Sequence, residues 1–270
     1  MIQQLIADVY AESEKYALSN LQNNSSTPSR KLMAICITVA FSLSLIHYGG
    51  NPSNIATLIG YFSEPINSAN YLQLFYHSPH ARLLQLSHWI FFTVLGYAII
   101  PLLVIRFYLK EEIKAFGFSG SITRKDLKIY GLMLVFMIPL VIGMSFTASF
   151  QHKYPFYHET RQLPDIQLFI WEAEYMLQFF ALEFFFRGFF LHGIKDRFGF
   201  YSVFVMTIPY CMIHFGKPFP ETMAAIIAGI ALGILSLKSK NIWLGFFIHC
   251  SVALTMDFCS LWQQGLLATS

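Results

Sequence analysis

Charge is the scarcest property of this 270-residue sequence. Only 12% of its residues are charged and 55% are hydrophobic, whereas a soluble globular domain carries about 25% charged and about 45–50% apolar residues. This composition excludes an ordinary soluble enzyme. It excludes a disordered chain more strongly, because disorder requires few apolar residues and high charge. The net charge of +3 is small, so nucleic acid is not expected as a partner.

Several local signals are also missing. Cys36, Cys211, Cys250 and Cys259 lie in apolar runs and form no CxxC pair, so neither a disulfide framework nor a cysteine zinc site is expected. No HExxH motif, glycine-rich nucleotide loop or internal repeat is present. The N-terminal segment is largely polar and lacks the apolar core of a cleavable signal peptide.

Long apolar segments are what the sequence has in excess. A helix that crosses a bilayer needs about 20 such residues. The candidate spans lie at about 31–49, 84–108, 129–150, 166–195, 200–216, 221–238 and 241–262. The sequence therefore predicts an all-α, polytopic membrane bundle of about seven transmembrane helices, with six to eight as the range. We expect a multi-pass protein of a bacterial cytoplasmic membrane.

The segments between and before these spans have a different character. Residues 2–20 place apolar side chains at helical spacing, which predicts an amphipathic surface helix, on the membrane or packed on the protein. Residues 50–82 and 152–165 predict loops, the first irregular and with room for a short interfacial helix. A surface helix, a first group of spans and a functional core are expected in residues 1–30, 31–165 and 166–270, respectively.

Lysine and arginine are distributed unequally between the two sides that seven spans define. Most of them fall on one side, whereas Arg82, Lys153, Arg161 and Lys217 fall on the other. Because cytoplasmic loops carry an excess of these residues, we expect a cytoplasmic N-terminus and an external C-terminus.

Four ionisable side chains stand out inside the predicted spans, where a central charge costs at least about 2.5–3.5 kcal/mol. Glu183 and Arg187 are four residues apart in ALEFFFRGFF and share a helix face; the simplest interpretation is a self-satisfying ion pair. The phenylalanines between them should point towards lipid or neighbouring helices. His214 and His249 lie in the two later spans, where a lone histidine is usually structural.

Helix geometry predicts that these side chains meet. Glu183 precedes the Lys195–Gly199 turn, and His214 follows it, by distances that correspond to about 18 and 22 Å at 1.5 Å per residue. From the same side of the membrane, His249 reaches about 13 Å. We therefore predict that Glu183, Arg187, His214 and His249 line one intramembrane cavity, with both imidazoles within about 10 Å of Glu183.

Such a cavity suits hydrolysis of a peptide bond. A carboxylate can accept a proton from water, and an imidazole can donate to the developing negative charge. In one version Glu183 is the general base, His214 helps to hold the attacking water and His249 donates to the oxyanion. In the other version the same three residues bind zinc as a His₂Glu set. Because HExxH is absent, the metal-free version is favoured and no cofactor is expected.

Three motifs follow one another in the second half of the chain: Glu183-Phe-Phe-Phe-Arg187-Gly188, Tyr210-Cys-Met-Ile-His214, and a last-span His249. Their order resembles the CPBP family of CAAX prenyl proteases, bacteriocin-processing proteins and abortive-infection proteins. The resemblance covers about residues 178–260. It implies an intramembrane endopeptidase, glutamate-type or metallo-type, whose partners are membrane lipids and a membrane-anchored, lipidated or leader peptide.

The sequence departs from this family at two positions. The family usually has two adjacent glutamates, of which the first is often assigned as the base, and Leu182 stands at that first position. An asparagine often follows the last histidine by four residues; here that residue is Ala253, with Asp257 one turn further as a substitute that would stabilise His249. A non-catalytic binding or chaperone-like protein on the same fold is therefore one alternative. A transporter is another, because membrane ionisable residues also mark ion routes.

Further candidates have supporting roles. Tyr210 belongs to the second motif. Glu221 follows a Lys-Pro-Phe-Pro turn and could approach the cavity mouth, although an acid at a helix N-terminus also has a simpler explanation in the helix dipole. On the same span, Ala225, Gly229 and Gly233 form a small-residue stripe that predicts close packing against another helix.

Overall fold

The computed structural model describes residues 2–23, 29–157 and 166–266, and these ranges contain no β-strand. The α-helices are α1 (Ile2–Asn23), α2 (Arg30–Gly49), α3 (Pro52–Phe62), α4 (Pro65–His77), α5 (Ala81–Leu109, with two π-helical stretches), α6 (Arg124–Ser145), α7 (Ala148–Lys153), α8 (Ile166–Glu183), α9 (His192–Phe198), α10 (Ser202–Met212), α11 (Phe219–Ser239) and α12 (Trp243–Gln263). A π-helical segment, Phe184–Leu191, joins α8 to α9. The all-α prediction is confirmed.

Six helical segments in these described ranges are long and apolar enough to cross a membrane. They are α2, α5, α6, α11, α12 and the continuous segment Ile166–Met212. That last segment has 47 residues and would be about 70 Å long as one straight helix, against about 30 Å of hydrocarbon. It contains the predicted span 166–195 and residues 200–212 of the predicted span 200–216. Between them Gly199, with φ of 52° and ψ of −132°, ends α9 in a backbone conformation that favours glycine.

The prediction of an irregular loop over residues 50–82 was wrong, because most of this segment forms α3 and α4. Two of its three prolines, Pro52 and Pro65, occupy the first positions of the two helices, where proline is favoured, and the third, Pro79, lies in the turn before α5. The Asn51 side chain accepts a hydrogen bond from Ser53 N at 2.9 Å and caps α3. The predicted loop 152–165 lies partly outside the described residues.

The described residues form two compact units. The first unit is drawn from residues 1–40, 98–131 and 182–247, and the second from residues 41–97, 132–181 and 248–270. The expected division of the chain at residues 30 and 165 stays a prediction.

In the first unit, the amphipathic helix α1 packs on the protein. It buries Val9 and Ala17. The Glu14 carboxylate accepts a hydrogen bond from Phe200 N at 3.2 Å, and the rings of Tyr10 and Phe200 lie 5.7 Å apart. These contacts show α1 packed on the protein, which is one of the two locations that its amphipathic pattern left open.

Helices α10 and α11 of the first unit pack through the small-residue stripe. A Cβ atom on Gly229 would lie 3.0 Å from side-chain atoms of Thr207 and Tyr210, and one on Gly233 would lie 2.9 Å from Val203. The prediction of close packing is therefore confirmed, and this packing brings Tyr210 against α11.

Candidate functional site

Glu183 and Arg187 form a buried ion pair in the first unit. Arg187 Nη1 lies 3.0 Å from Glu183 Oε1, and the side chains are 0% and 1% exposed. Arg187 lies in the π-helical segment Phe184–Leu191, all of which is buried. Phe184, Phe185 and Phe186 therefore pack inside the protein, and none of them faces lipid. Isolated π-helical turns occur frequently at functional sites.

Tyr210 contacts the same guanidinium from another direction. The Arg187 Cζ atom lies 3.9 Å from the centroid of the Tyr210 ring, a cation–π distance that stabilises a desolvated cation. The Tyr210 ring also meets Phe186 edge to face at 5.2 Å. Arg187 is thus held between a carboxylate and an aromatic face.

The Glu183 carboxylate also rests on the beginning of α12. A Cβ atom on Gly245 would lie 2.3 Å from Glu183 Oε2, so a larger residue here would force the carboxylate to shift. Gly245 lies in the first turn of α12, the end of a helix that favours a negative charge. The carboxylate is therefore fixed by a cation and by a helix N-terminus.

His214 lies in the turn after α10 and is half-buried. Its Nδ1 is 2.8 Å from the Tyr210 carbonyl oxygen. Because a carbonyl only accepts, Nδ1 carries the hydrogen, and Nε2 of the neutral ring has the lone pair. Thr222 Oγ1 donates to the His214 carbonyl at 2.9 Å and ties this turn to α11. Contacts thus connect Glu183, Arg187, Tyr210 and His214 in sequence.

Tyr130 of α6 is a residue that the sequence analysis missed. It is buried, its hydroxyl hydrogen-bonds with the Ser239 side chain, and it is close enough to Glu183 and Arg187 to interact with their charges. One turn earlier, Asp126 accepts a hydrogen bond from Lys238 at 3.0 Å. A single tyrosine in an apolar segment belongs to no motif, so its spacing from Asp126 is the only signal that the sequence offers.

Glu221 was predicted either to approach the cavity mouth or to be an acid at a helix N-terminus, and its role at the cavity mouth stays a prediction. It lies in the first turn of α11, and its carboxylate is 2.7 Å from Lys217 Nζ in a partly exposed ion pair. An acid at this end of a helix is stabilised by the helix dipole.

His249 and Asp257 both lie in the second unit, on α12. The His249 ring stacks on Phe179 at 5.5 Å with an interplanar angle of 13°. Asp257 is 2% exposed and accepts a 3.5 Å hydrogen bond from the Trp171 indole. Eight residues of helix separate His249 from Asp257, a rise of about 12 Å. Their place in the predicted cavity stays a prediction.

The two positions that depart from the family pattern are both buried. Leu182 is 5% exposed and Ala253 is 3% exposed. Within the described ranges, no three His, Cys, Asp or Glu side chains are grouped so that they could hold a metal ion. A zinc site formed by Glu183, His214 and His249 stays a prediction.

Comparison with known proteins gives one match. Residues 165–255 match the model of a family described as Type II CAAX prenyl endopeptidase Rce1-like. The matched segment is about a third of the chain and contains all three motifs. The recognition of the CPBP family from its motifs is confirmed, and the match supports a membrane protease as the class of this protein. Neither the curated proteins nor the solved structures gave a match.

Proposed function

We propose that the protein is an intramembrane endopeptidase that hydrolyses a peptide bond in a membrane-associated or lipidated peptide, with Glu183 as the base that activates water. The observation that carries this proposal is the contact series Glu183–Arg187–Tyr210–His214, which lies within the family-matched segment. Its partners are membrane lipids and the peptide.

The proposed reaction assigns a separate task to each side chain. Glu183 takes a proton from water, whose oxygen attacks the peptide carbonyl. The lone pair on His214 Nε2 accepts the second O–H of that water and orients it. His249 donates to the oxyanion of the tetrahedral intermediate. When the C–N bond breaks, Glu183 returns its proton to the leaving amine, so that a carboxylic acid and a free amine are the products.

A non-catalytic binding protein is the second candidate, and one observation favours it. Leu182 is apolar and buried where the family usually has its leading glutamate. The remaining carboxylate, on Glu183, is 1% exposed and in contact with Arg187 and Gly245. In this alternative Glu183 anchors helices, and the protein retains a peptide without cleaving it.

Cleavage of a membrane-embedded reporter peptide by the purified protein tests the proposal. Wild type should cleave, and Glu183→Gln, which cannot accept the proton at neutral pH, should cleave about 10²–10⁴-fold more slowly. The matched control is Glu174→Gln, because Glu174 is also a glutamate within a span but hydrogen-bonds to Ser87 in the second unit. It should retain wild-type activity. Peptide binding by a wild-type protein that does not cleave would favour the binding protein.

A further inference from the structure

The position of the Glu183 carboxylate depends on where α12 begins. Because a Cβ on Gly245 would lie 2.3 Å from Oε2 and 2.9 Å from Cδ, the carboxyl group lies directly on the helix backbone. A small displacement of the first turn of α12 would therefore move the carboxylate or lose its contact. Whatever fixes that turn also fixes Glu183.

Asn241 fixes the first turn of α12 through both the oxygen and the nitrogen of its side-chain amide. Its Oδ1 accepts a hydrogen bond from Trp243 N at 2.8 Å, and its Nδ2 donates to the Gly120 carbonyl at 3.1 Å. Asn241 is 5% exposed. An Asn at this position satisfies one of the amides that a helix leaves without an intrahelical acceptor, and the second bond ties the helix to residues 116–120.

Residues 116–120 contact both parts of the site. Gly117 O accepts from Ile242 N at 3.0 Å, and Gly120 N donates to Lys240 O at 3.0 Å. On its other side the segment meets the residue after Arg187, because a Cβ on Gly188 would lie 2.7 Å from Phe116 O. The segment thus relates the start of α12 to the helix turn that carries Glu183 and Arg187.

We propose that Asn241 is a positioning residue for Glu183: by holding the first turn of α12 on residues 116–120, it sets the orientation of the carboxylate that acts as the base. This inference rests on the proposed function for its catalytic consequence. Asn241 itself touches no reacting atom. Loss of its amide should misplace the carboxylate, and a misplacement of about 1 Å can cost about 10²-fold in rate.

The kinetic experiment measures kcat and KM of the full-length protein on the membrane-embedded reporter. Asn241→Ala should lower kcat about 10²-fold and change KM by less than about threefold, because substrate contacts are kept. Asn241→Ser keeps an uncharged side-chain oxygen that can accept from Trp243 N and lacks the amide donor to Gly120 O, so it should recover at least about tenfold of that loss. A wild-type kcat in Asn241→Ala, or a loss confined to KM, would overturn the proposal.

A thermal unfolding cycle tests the positioning without relying on cleavage. If Asn241 acts on the Glu183 carboxylate, the fall in Tm caused by Asn241→Ala should be smaller by at least about 3 °C in a Glu183→Ala background. The matched control is Asn54→Ala, since Asn54 also donates to a backbone carbonyl, that of Tyr48 at 3.0 Å, but in the second unit. The decrease in Tm caused by Asn54→Ala should add to the decrease caused by Glu183→Ala.

The two measurements separate the two claims. A wild-type protein that fails to cleave the reporter contradicts the proposed function, and the cycle then decides on the positioning alone. Additive Tm changes for Asn241→Ala and Glu183→Ala overturn the positioning of Glu183 by Asn241, whatever the activity. Gly245→Ala reports on the contact itself, because its added methyl group should be tolerated only where Glu183 has been shortened to alanine.

Discussion

In the first unit the buried carboxylate of Glu183 faces the guanidinium of Arg187 at 3.0 Å, whereas in the second unit the buried carboxyl group of Asp257 faces the indole N–H of Trp171 at 3.5 Å. A buried charge that loses an opposite charge has no compensation, while loss of a neutral donor costs one hydrogen bond. The Glu183 carboxylate therefore depends on a counter-charge for its place in the first unit, whereas the Asp257 contact in the second unit is with a neutral donor.

The second unit organises its interior through aromatic contacts. The rings of Trp171 and Tyr175 stack at 4.8 Å, Tyr175 and Phe179 lie 4.6 Å apart, and Phe179 stacks on His249 at 5.5 Å. An imidazole held by a ring face keeps its two nitrogens directed away from that face. The series therefore holds the plane of the His249 ring against Phe179.

The largest expected effect separates the two carboxyl positions of the motif. Glu183→Gln should reduce cleavage by about 10²–10⁴-fold, the usual contribution of a general base. Adding Leu182→Glu to that variant restores a carboxylate at the family's leading position. If Glu183 is the base, this double variant should stay inactive in the reporter assay, with Leu182→Met/Glu183→Gln as the control of similar size. Restored cleavage would assign the chemistry to position 182.

Removal of the cation should be the next largest effect. Arg187→Leu leaves the Glu183 carboxylate buried without its counter-charge and should cost about 3–5 kcal/mol of stability. Trp171→Phe, the matched change in the second unit, removes a neutral donor and should cost about 1–3 kcal/mol. Denaturant unfolding in detergent measures both.

A double variant checks the cause of this difference. Arg187→Leu/Glu183→Leu removes both charges and should recover most of the stability that Arg187→Leu loses. The contrast between the units would be contradicted if the single changes were equally costly, or if the double variant were less stable than Arg187→Leu.

A smaller effect tests the orientation of His249 by its ring contact. His249→Ala should lower kcat by at least about 10²-fold, the usual cost of one oxyanion donor. Phe179→Leu keeps the imidazole and removes the stacked ring, worth about 0.5–1.5 kcal/mol, so a loss of about 2–10-fold is expected. Equal losses in the two variants would mean that the ring contact, and not the donated hydrogen, is what the reaction needs.

The features of this molecule that a lipid environment requires could be predicted from the sequence. Apolar runs predicted the spans. The charged residues inside these runs identified Glu183 and Arg187 as candidates, because a bilayer tolerates such residues only where they have partners. Helices α3 and α4 were not predicted, because a proline such as Pro52 or Pro65 is compatible both with a loop and with the first turn of a helix. Asn241 escaped notice because its importance lies in backbone contacts with residues 116–120, which are far away in sequence and belong to no side-chain pattern.

A still smaller effect concerns the carboxylates of the first unit. Glu221→Gln should change cleavage by less than about threefold, since partly exposed ion pairs such as Glu221–Lys217 contribute only about 0–1 kcal/mol. The same assay applied to Glu183→Gln gives the comparison. A larger loss at Glu221 would show that the base is at the start of α11.

The smallest expected effect is that of a metal chelator on the wild-type enzyme. In the glutamate mechanism each step uses an acid, a base or a hydrogen-bond donor of the chain, so cleavage should stay within about twofold after incubation with the chelator and its removal. A zinc mechanism predicts loss of cleavage and its recovery when zinc is added. That outcome would keep Glu183, His214 and His249 at the site, but as ligands. Glu183→Gln would then lower zinc affinity as well as rate, so measuring bound zinc in wild type and in this variant separates a missing base from a missing ligand.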